Sequence, residues 1–222
     1  MEEIIIIGTK SSAILIAENI YDARINHGGN AKVLGFASES HSIGSVVNGF
    51  KVVNNLKGLY KKYKDTVNVK FIYQSYDIKD MKAAIKKKDR FGIPDERYYT
   101  FIHPSCMISK SASIACGSII LAHTVVNPNA KIGKFNSIMS GVTIGHDAEI
   151  GDYNLIATQA IVANVVMGNR NFIGINVTTN NKIKIGDDCM IGMASNVIHD
   201  VPSNTKCFGN PARPVSTPKR LK

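Results

Sequence analysis

From Ile102 onward an aliphatic residue recurs at every sixth position: Ile102, Ile108, Ile114, Ile120, Val126, Ile132, Ile138, Ile144, Ile150, Ile156 and Val162. An α-helix repeats its buried face every 3.6 residues and a strand every two, so neither accounts for this period. After Val162 the spacing slips to five at Met167. It then resumes through Ile173, meets a polar residue at Thr179, and continues through Ile185, Ile191 and Val197. A small residue follows many of these positions, as at Gly133, Gly145, Gly151, Ala157, Gly174, Gly186 and Gly192. This pattern predicts a parallel β-helix of hexapeptide repeats. Aliphatic side chains fill a narrow interior, and the small residue fits where the backbone bends tightly.

The first hundred residues have a different texture. "IIIIG" (residues 4–8) reads as a buried strand, residues 11–25 as a helix, "AKVLGF" and "NVKFIY" as strands, and residues 78–88 as a helix. Strands alternating with helices predict a parallel sheet with covering helices, here a small Rossmann-like unit. The chain is therefore expected to divide into an α/β domain at 1–100 and a β-helix domain at 101–222.

With 222 residues, 44% of them hydrophobic, the chain can bury a core without staples. Cys106, Cys116, Cys189 and Cys207 are scattered without a C-x-x-C pair, so they are expected to be small core residues rather than a disulfide or zinc framework. The net charge of +10 raises the question of nucleic acid. Its clusters, however, are Lys86, Lys87 and Lys88 on a predicted helix and Lys219, Arg220 and Lys222 in a tail, without interleaved aromatics. They read as a solvated face and a tail, not a nucleic-acid site. No apolar run is long enough to cross a bilayer, and the acidic flanks of "EEIIII" do not suit a signal peptide, so no membrane insertion and a cytoplasmic location are expected.

Within the hexads stands "VTIGHDAEIGDYN", in which His146 and Asp147 lie side by side between two isoleucines. An amine or hydroxyl attacking a thioester must lose a proton, and a neutral imidazole, with an ordinary pKa of about 6.5, is suited to take it. A neighbouring carboxylate favours the protonated ring and can fix its tautomer. The alternative is a surface histidine at a β-helix corner. His103, in "FIHPS", reads as a junction residue, while His27, His41 and His199 have no legible partner. A zinc centre would need three histidines at suitable spacing. His123 and His146 occupy different hexad positions without a third, so no metal is expected.

The α/β unit, the junction "FIHPSCMISKSASI", the run "IGHDAEIGD" and the ending "GNPARPV" together resemble the family of sialic-acid and bacillosamine acyltransferases, which modify free or nucleotide-activated sugars in bacterial glycan synthesis. The resemblance implies a left-handed β-helix, with three hexads to a coil and roughly five coils between Ile102 and Val201. It also implies a homotrimer with acetyl-CoA between neighbouring β-helices, and His146 as general base supported by Asp147. Carried over by position, donor contacts fall on Leu155, Ile175 and Met193, with Arg213 near a CoA phosphate.

Two departures from the family pattern lie near the donor. Leu155 replaces a histidine, and the stretch "QAIVANVVMG" is one residue short. In the α/β unit the expected Gly-rich turn reads "GTKSSA", keeping Gly8 but presenting Lys10, Ser11 and Ser12. The paired acids become Ser38 and Glu39, and the usual Gly-Asn becomes Gln74 and Ser75. These eight positions are the expected sugar-nucleotide contacts, in an altered pocket. The resulting expectation is N-acetylation of a nucleotide-linked amino sugar, such as a 4-amino-4,6-dideoxyhexose. Sugar O-acetylation and a non-catalytic trimeric scaffold remain as alternatives.

Overall fold

The computed structural model describes residues 1–74 and 80–215. The chain forms two compact units, Met1–Pro104 and Ser105–Lys222.

The first unit contains β1 (Glu2–Ile7), α1 (Ser11–His27), β2 (Ala31–Ala37), β3 (Val46–Val47), β4 (Phe50–Asn54), α2 (Leu59–Tyr63), β5 (Val69–Tyr73) and α3 (Met81–Asp89). They build a mixed sheet in the order β3-β4-β2-β1-β5. All pairs are parallel except β3–β4. Ile4 to Ile7 are fully buried on β1, an interior strand, as an uninterrupted apolar run covered on both faces requires. Helix α1 buries Ala13, Ile16, Ala17, Ile20 and Ala23, one stripe at three- and four-residue spacing, and ends at Gly28, whose φ of 68° is left-handed.

The β3–β4 hairpin was not expected, although its turn carries the Asn48-Gly49 pair, both residues at positive φ, that favours tight hairpins. Helix α3 starts at Met81, where Asp80 accepts the Ala83 N–H at 2.9 Å; Ile78, in the expected helix, lies outside the described residues. The solvated face expected of Lys86 to Lys88 is corrected at Lys88, which is only 4% exposed. Its ammonium sits 3.2 Å from Asp89 and 3.8 Å from Asp95 and lies over the Tyr98 ring, so opposite charge and a π-face replace the lost water.

In the second unit, two- and three-residue strands stack into three parallel faces. One face begins 107–108, 125–126, 143–144 and continues through 161–162, 178–179 and 196–197. The next runs from 113–114 through 149–150 to 183–185, and the third from 119–120 through 155–156 to 206–208. The apolar hexad residues from Ile120 to Val197 line one continuous core. The inward pattern does not begin at Ile102, which is 37% exposed and belongs to the first unit. Ile108 and Ile114, on the first turn, are only partly buried against the core.

Eight successive corners, from Gly117 to Gln159, each place one residue in the left-handed region. Gly117, His123, Asn129, Phe135, Gly141, Asp147, Tyr153 and Gln159 all have φ between 55° and 71°. The small residues after the aliphatic positions serve another purpose, close stacking of coils. A Cβ on Gly145 would lie 2.7 Å from the Ala163 carbonyl carbon, and one on Gly133 would lie 2.7 Å from the Gly151 oxygen.

The slip after Val162 shortens one coil. Ile132 pairs with Ile150, eighteen residues on, whereas Ile150 pairs with Met167. The missing residue falls at the corner around Ala163 and Asn164, between strands 161–162 and 165–167. Thr179 is the polar hexad residue because its hydroxyl accepts the Ala163 N–H at 2.9 Å, a donor this trimmed corner presents.

At another corner a buried asparagine ladder ties the coils together. Asn136 Oδ1 accepts both the N–H and the side-chain amide of Asn154, Asn154 Oδ1 accepts Asn171 N–H, and Asn171 Oδ1 accepts Cys189 N–H. Cys189 and Cys207 are free and buried, with their thiols pushed up by desolvation, in keeping with a core role. Cys106 packs partly buried against the core, while Cys116 is half-buried. Strand 213–214 closes the last coil antiparallel to 207–208. Among the described residues no helix is long and apolar enough to cross a membrane.

Candidate active site

His146 and Asp147 lie on the corner between strands 143–144 and 149–150. Strand residues there leave little choice of side-chain direction, and the left-handed Asp147, φ 56°, turns the chain. Asp and Asn tolerate that region better than most residues. Asp147 N–H is held by Pro128 O at 2.9 Å, Gly145 N–H by Val162 O at 2.7 Å, and Ala148 is fully buried, so the corner is fixed on both sides.

His146 Nδ1 lies 2.6 Å from Asp147 Oδ2, and Asn129 Nδ2 donates to Asp147 Oδ1 at 2.9 Å. Both site side chains are open to solvent, at 65% and 50%. The hydrogen bond from His146 and then that from Asn129 hold the Asp147 carboxyl below the usual carboxylate range, so it remains an acceptor. A proton on Nδ1 shared with this carboxylate leaves Nε2 as the lone-pair nitrogen, turned away from Asp147 by ring geometry. Above this corner stands the shortened one. Ala163 carbonyl carbon would meet a Cβ on Gly145, and Asn164 would meet it at 3.0 Å. The sequence showed the deletion but not that it sits over His146, because that follows from coil stacking.

The expected donor residues occupy another part of the solenoid. Leu155 lies on the face formed by 119–120, 137–138 and 155–156, partly buried, and pairs with Phe172. Ile175 and Met193 are exposed, at 46% and 67%, on the corner that follows that face. They stack on adjacent coils, with Ala194 N–H bonded to Ile175 O at 2.8 Å. The chain therefore does not bring His146 together with Ile175 and Met193 on one corner. Arg213 is exposed on the terminal strand.

In the first unit, a cavity of about 210 Å³ at the carboxyl ends of β1 and β2 is lined by Gly8, Thr9, Lys10, Ser38, Ser40 and Lys87, with Glu39 at its wall. Gly8 has φ 121°, a conformation that suits glycine. Around it the hydroxyls of Thr9, Ser38 and Ser40 lie 3.3, 3.4 and 3.0 Å from His41 Nδ1. Thr9, Ser40 and His41 were missed in the sequence, where His41 showed no partner; Ser38 and Ser40 stand close to it in the chain, and Thr9 is thirty-two positions away. Lys87 pairs with Glu39 at 3.0 Å. Ser11 and Ser12 form the first turn of α1 and are not in the cavity wall. Gln74 is buried, its N–H donating to Ile7 O at 3.0 Å, and Ser75 lies outside the described residues.

Residues 129–164, which include the His146 corner, match the family described as Bacterial transferase hexapeptide (six repeats). The fold is similar to that of a mutant perosamine N-acetyltransferase from Caulobacter crescentus in complex with CoA and GDP-perosamine, with a TM-score of 0.83 over 98% of both chains at 22% identity. It is also similar to the acetyltransferase domain of PglB from Neisseria gonorrhoeae in complex with acetyl coenzyme A, with a TM-score of 0.80 over 96% of this chain and 99% of that one at 21% identity. Among curated relatives, serine acetyltransferase 4 of Arabidopsis thaliana is 34% identical over 113 residues, half of this chain but only 28% of that protein's length. The resemblance to hexapeptide-repeat acyltransferases read from the sequence is thus met by the repeat family and by the fold, a left-handed β-helix preceded by a sheet.

Proposed function

We propose that this protein transfers an acetyl group from acetyl-CoA to the amino group of a nucleotide-linked amino sugar, with His146 as general base. The observation that carries this reading is the His146 Nδ1–Asp147 Oδ2 contact of 2.6 Å on an exposed corner, which orients the ring and leaves Nε2 for a substrate proton. Nitrogen attack on the thioester carbonyl forms the N–C bond as Nε2 takes the amine proton. Collapse of the tetrahedral adduct breaks the C–S bond, and the imidazolium returns a proton to the departing sulfur. Backbone N–H groups at the solenoid corners are the candidate oxyanion donors.

The four strands β4-β2-β1-β5 run parallel with a helix after β1, which supports reading the first unit as Rossmann-like. Its cavity, with Lys10, Lys87 and three hydroxyls, suits a nucleotide diphosphate. Solved structures of the same fold carry CoA and GDP-perosamine, or acetyl-CoA, in their complexes, which supports both substrates. The separation of His146 from exposed Ile175 and Met193 on different corners supports a homotrimer, in which one copy's base faces another copy's donor groove.

The test is release of CoA thiol from acetyl-CoA with a panel of UDP-, dTDP- and GDP-linked amino sugars. Turnover with at least one, lost in His146→Ala, is expected. Turnover only with sugars lacking a free amine would make the enzyme an O-acetyltransferase, and no turnover with either class would leave a scaffold.

A further inference from the structure

Three ligating side chains of the first unit, none of them among the residues proposed for acyl transfer, converge. His103 Nε2 lies 2.9 Å from Asp22 Oδ2 and His27 Nε2 lies 3.4 Å from the same oxygen. All three ligand atoms fall within 4.8 Å of one another. Asp22 and His27 sit near the carboxyl end of α1, locked by the Gly28 cap, and His103 is buried in the segment that ends the unit. Asn26 donates to Asp22 Oδ1 at 2.7 Å, which orients the carboxylate from behind and leaves Oδ2 to the imidazoles.

The geometry points to a binding site for a divalent transition ion of the zinc class, with His27 Nε2, His103 Nε2 and Asp22 Oδ2 as ligands. A tetrahedral ion about 2.1 Å from two imidazole nitrogens sets ligand atoms about 3.4 Å apart and the ring centres about 5.2 Å apart. The His27 and His103 rings are 5.1 Å apart at 75°. Opening the 2.9 Å contact by a small rotation of half-exposed Asp22 would complete the set. Imidazole and carboxylate donors suit zinc, cobalt and nickel rather than calcium or magnesium. The Asn26 amide supplies the outer hydrogen bond that metal-binding carboxylates usually have. The open sides of Asp22 and His27 give the ion a path in and leave a fourth position for water. The ion would clamp the end of α1 to residues 101–104.

The experiment uses the full chain without a polyhistidine tag, stripped with a chelator and titrated with Co²⁺ and then Zn²⁺. Expected are one equivalent of Co²⁺ with the visible absorption of a tetrahedral site, its displacement by Zn²⁺, and a rise of several degrees in Tm with Zn²⁺. His27→Ala removes an exposed ligand, so its metal-free Tm should match the parent, while affinity falls by more than about tenfold. Asp22→Asn, which keeps the shape, should weaken binding likewise. Absence of the cobalt spectrum and of the Tm shift in the parent overturns the proposal. An undiminished response in both variants overturns it as well, because the ion then sits elsewhere.

Discussion

Asn129 donates its side-chain amide to Asp147 at 2.9 Å from the coil below, eighteen residues earlier. The carboxylate facing His146 is thus set by the stacking of coils as well as by its own corner. Asn129→Gly keeps the left-handed corner, φ 62°, and frees one oxygen of Asp147 without exposing core. We expect kcat to fall severalfold, with KM for acetyl-CoA and Tm little changed, since this residue only positions the acid. Steady-state kinetics with the proposed amino-sugar acceptor check the split.

Removing the proposed base should be far more costly. His146→Ala is expected to lower kcat by about 10²- to 10⁴-fold, the usual range for a general base, with the fold intact because the ring is open to solvent. Asp147→Asn keeps a residue that tolerates the left-handed corner, φ 56°, and isolates the charge. A rate loss in that variant without a change in circular dichroism assigns the effect to the carboxylate.

The asparagine ladder gives a stability prediction. Asn154 donates to Gly168 O at 3.0 Å and accepts Asn171 N–H at 2.8 Å, both buried or nearly so. Asn154→Ala strands these two backbone groups. A loss of about 2–4 kcal/mol in denaturant unfolding is expected, far beyond that of an exposed asparagine.

Close stacking gives another. Gly145→Ala places a Cβ 2.7 Å from backbone that cannot yield easily, at a position whose φ is not left-handed, so the cost is one of contact. This change should cost about 1–3 kcal/mol. Comparing its Tm with that of Gly174→Ala, which meets Met193 N at 2.6 Å, tests whether the cost follows coil contact.

Acid should loosen the Arg170 corner. Arg170 pairs with Asp188 through two bonds of 2.8 and 2.9 Å and with Asp187 at 3.1 Å. The Asn169 N–H, with its side chain and Arg170, holds the Asp187 carboxyl below the usual range. A depressed acid contributes stability fully above its unfolded pKa, about 3.9, and loses it as the pH falls through the lower folded value. The Tm difference between the parent and Asp187→Asn should therefore be largest near neutrality and shrink below about pH 3.9.

The interior of the solenoid was legible because a six-residue period has one structural explanation, and His146 with Asp147 stood out as a polar pair inside it. Elsewhere the determining contacts follow no local period. Asp95 and Tyr98 close over Lys88 from beyond the end of its helix, at a spacing that no helical repeat announces. His103 and Asp22 are eighty-one residues apart, so no local pattern could join them. Phe135, Tyr153 and Gln159 hold left-handed corners that their own propensities disfavour; the coils on either side impose the conformation. The β3–β4 hairpin, by contrast, was announced by Asn48-Gly49 and passed over.

The seventeen-residue coil has a consequence for engineering this surface. Lengthening the loop at Ala163 by one amino acid would bring the polypeptide back into phase with its neighbours, and the added bulk would arrive on the bend stacked against the one that carries His146. Regularity is given up at that one place, and Thr179, by taking up the donor left at the trimmed bend, lets the fold tolerate the shorter turn.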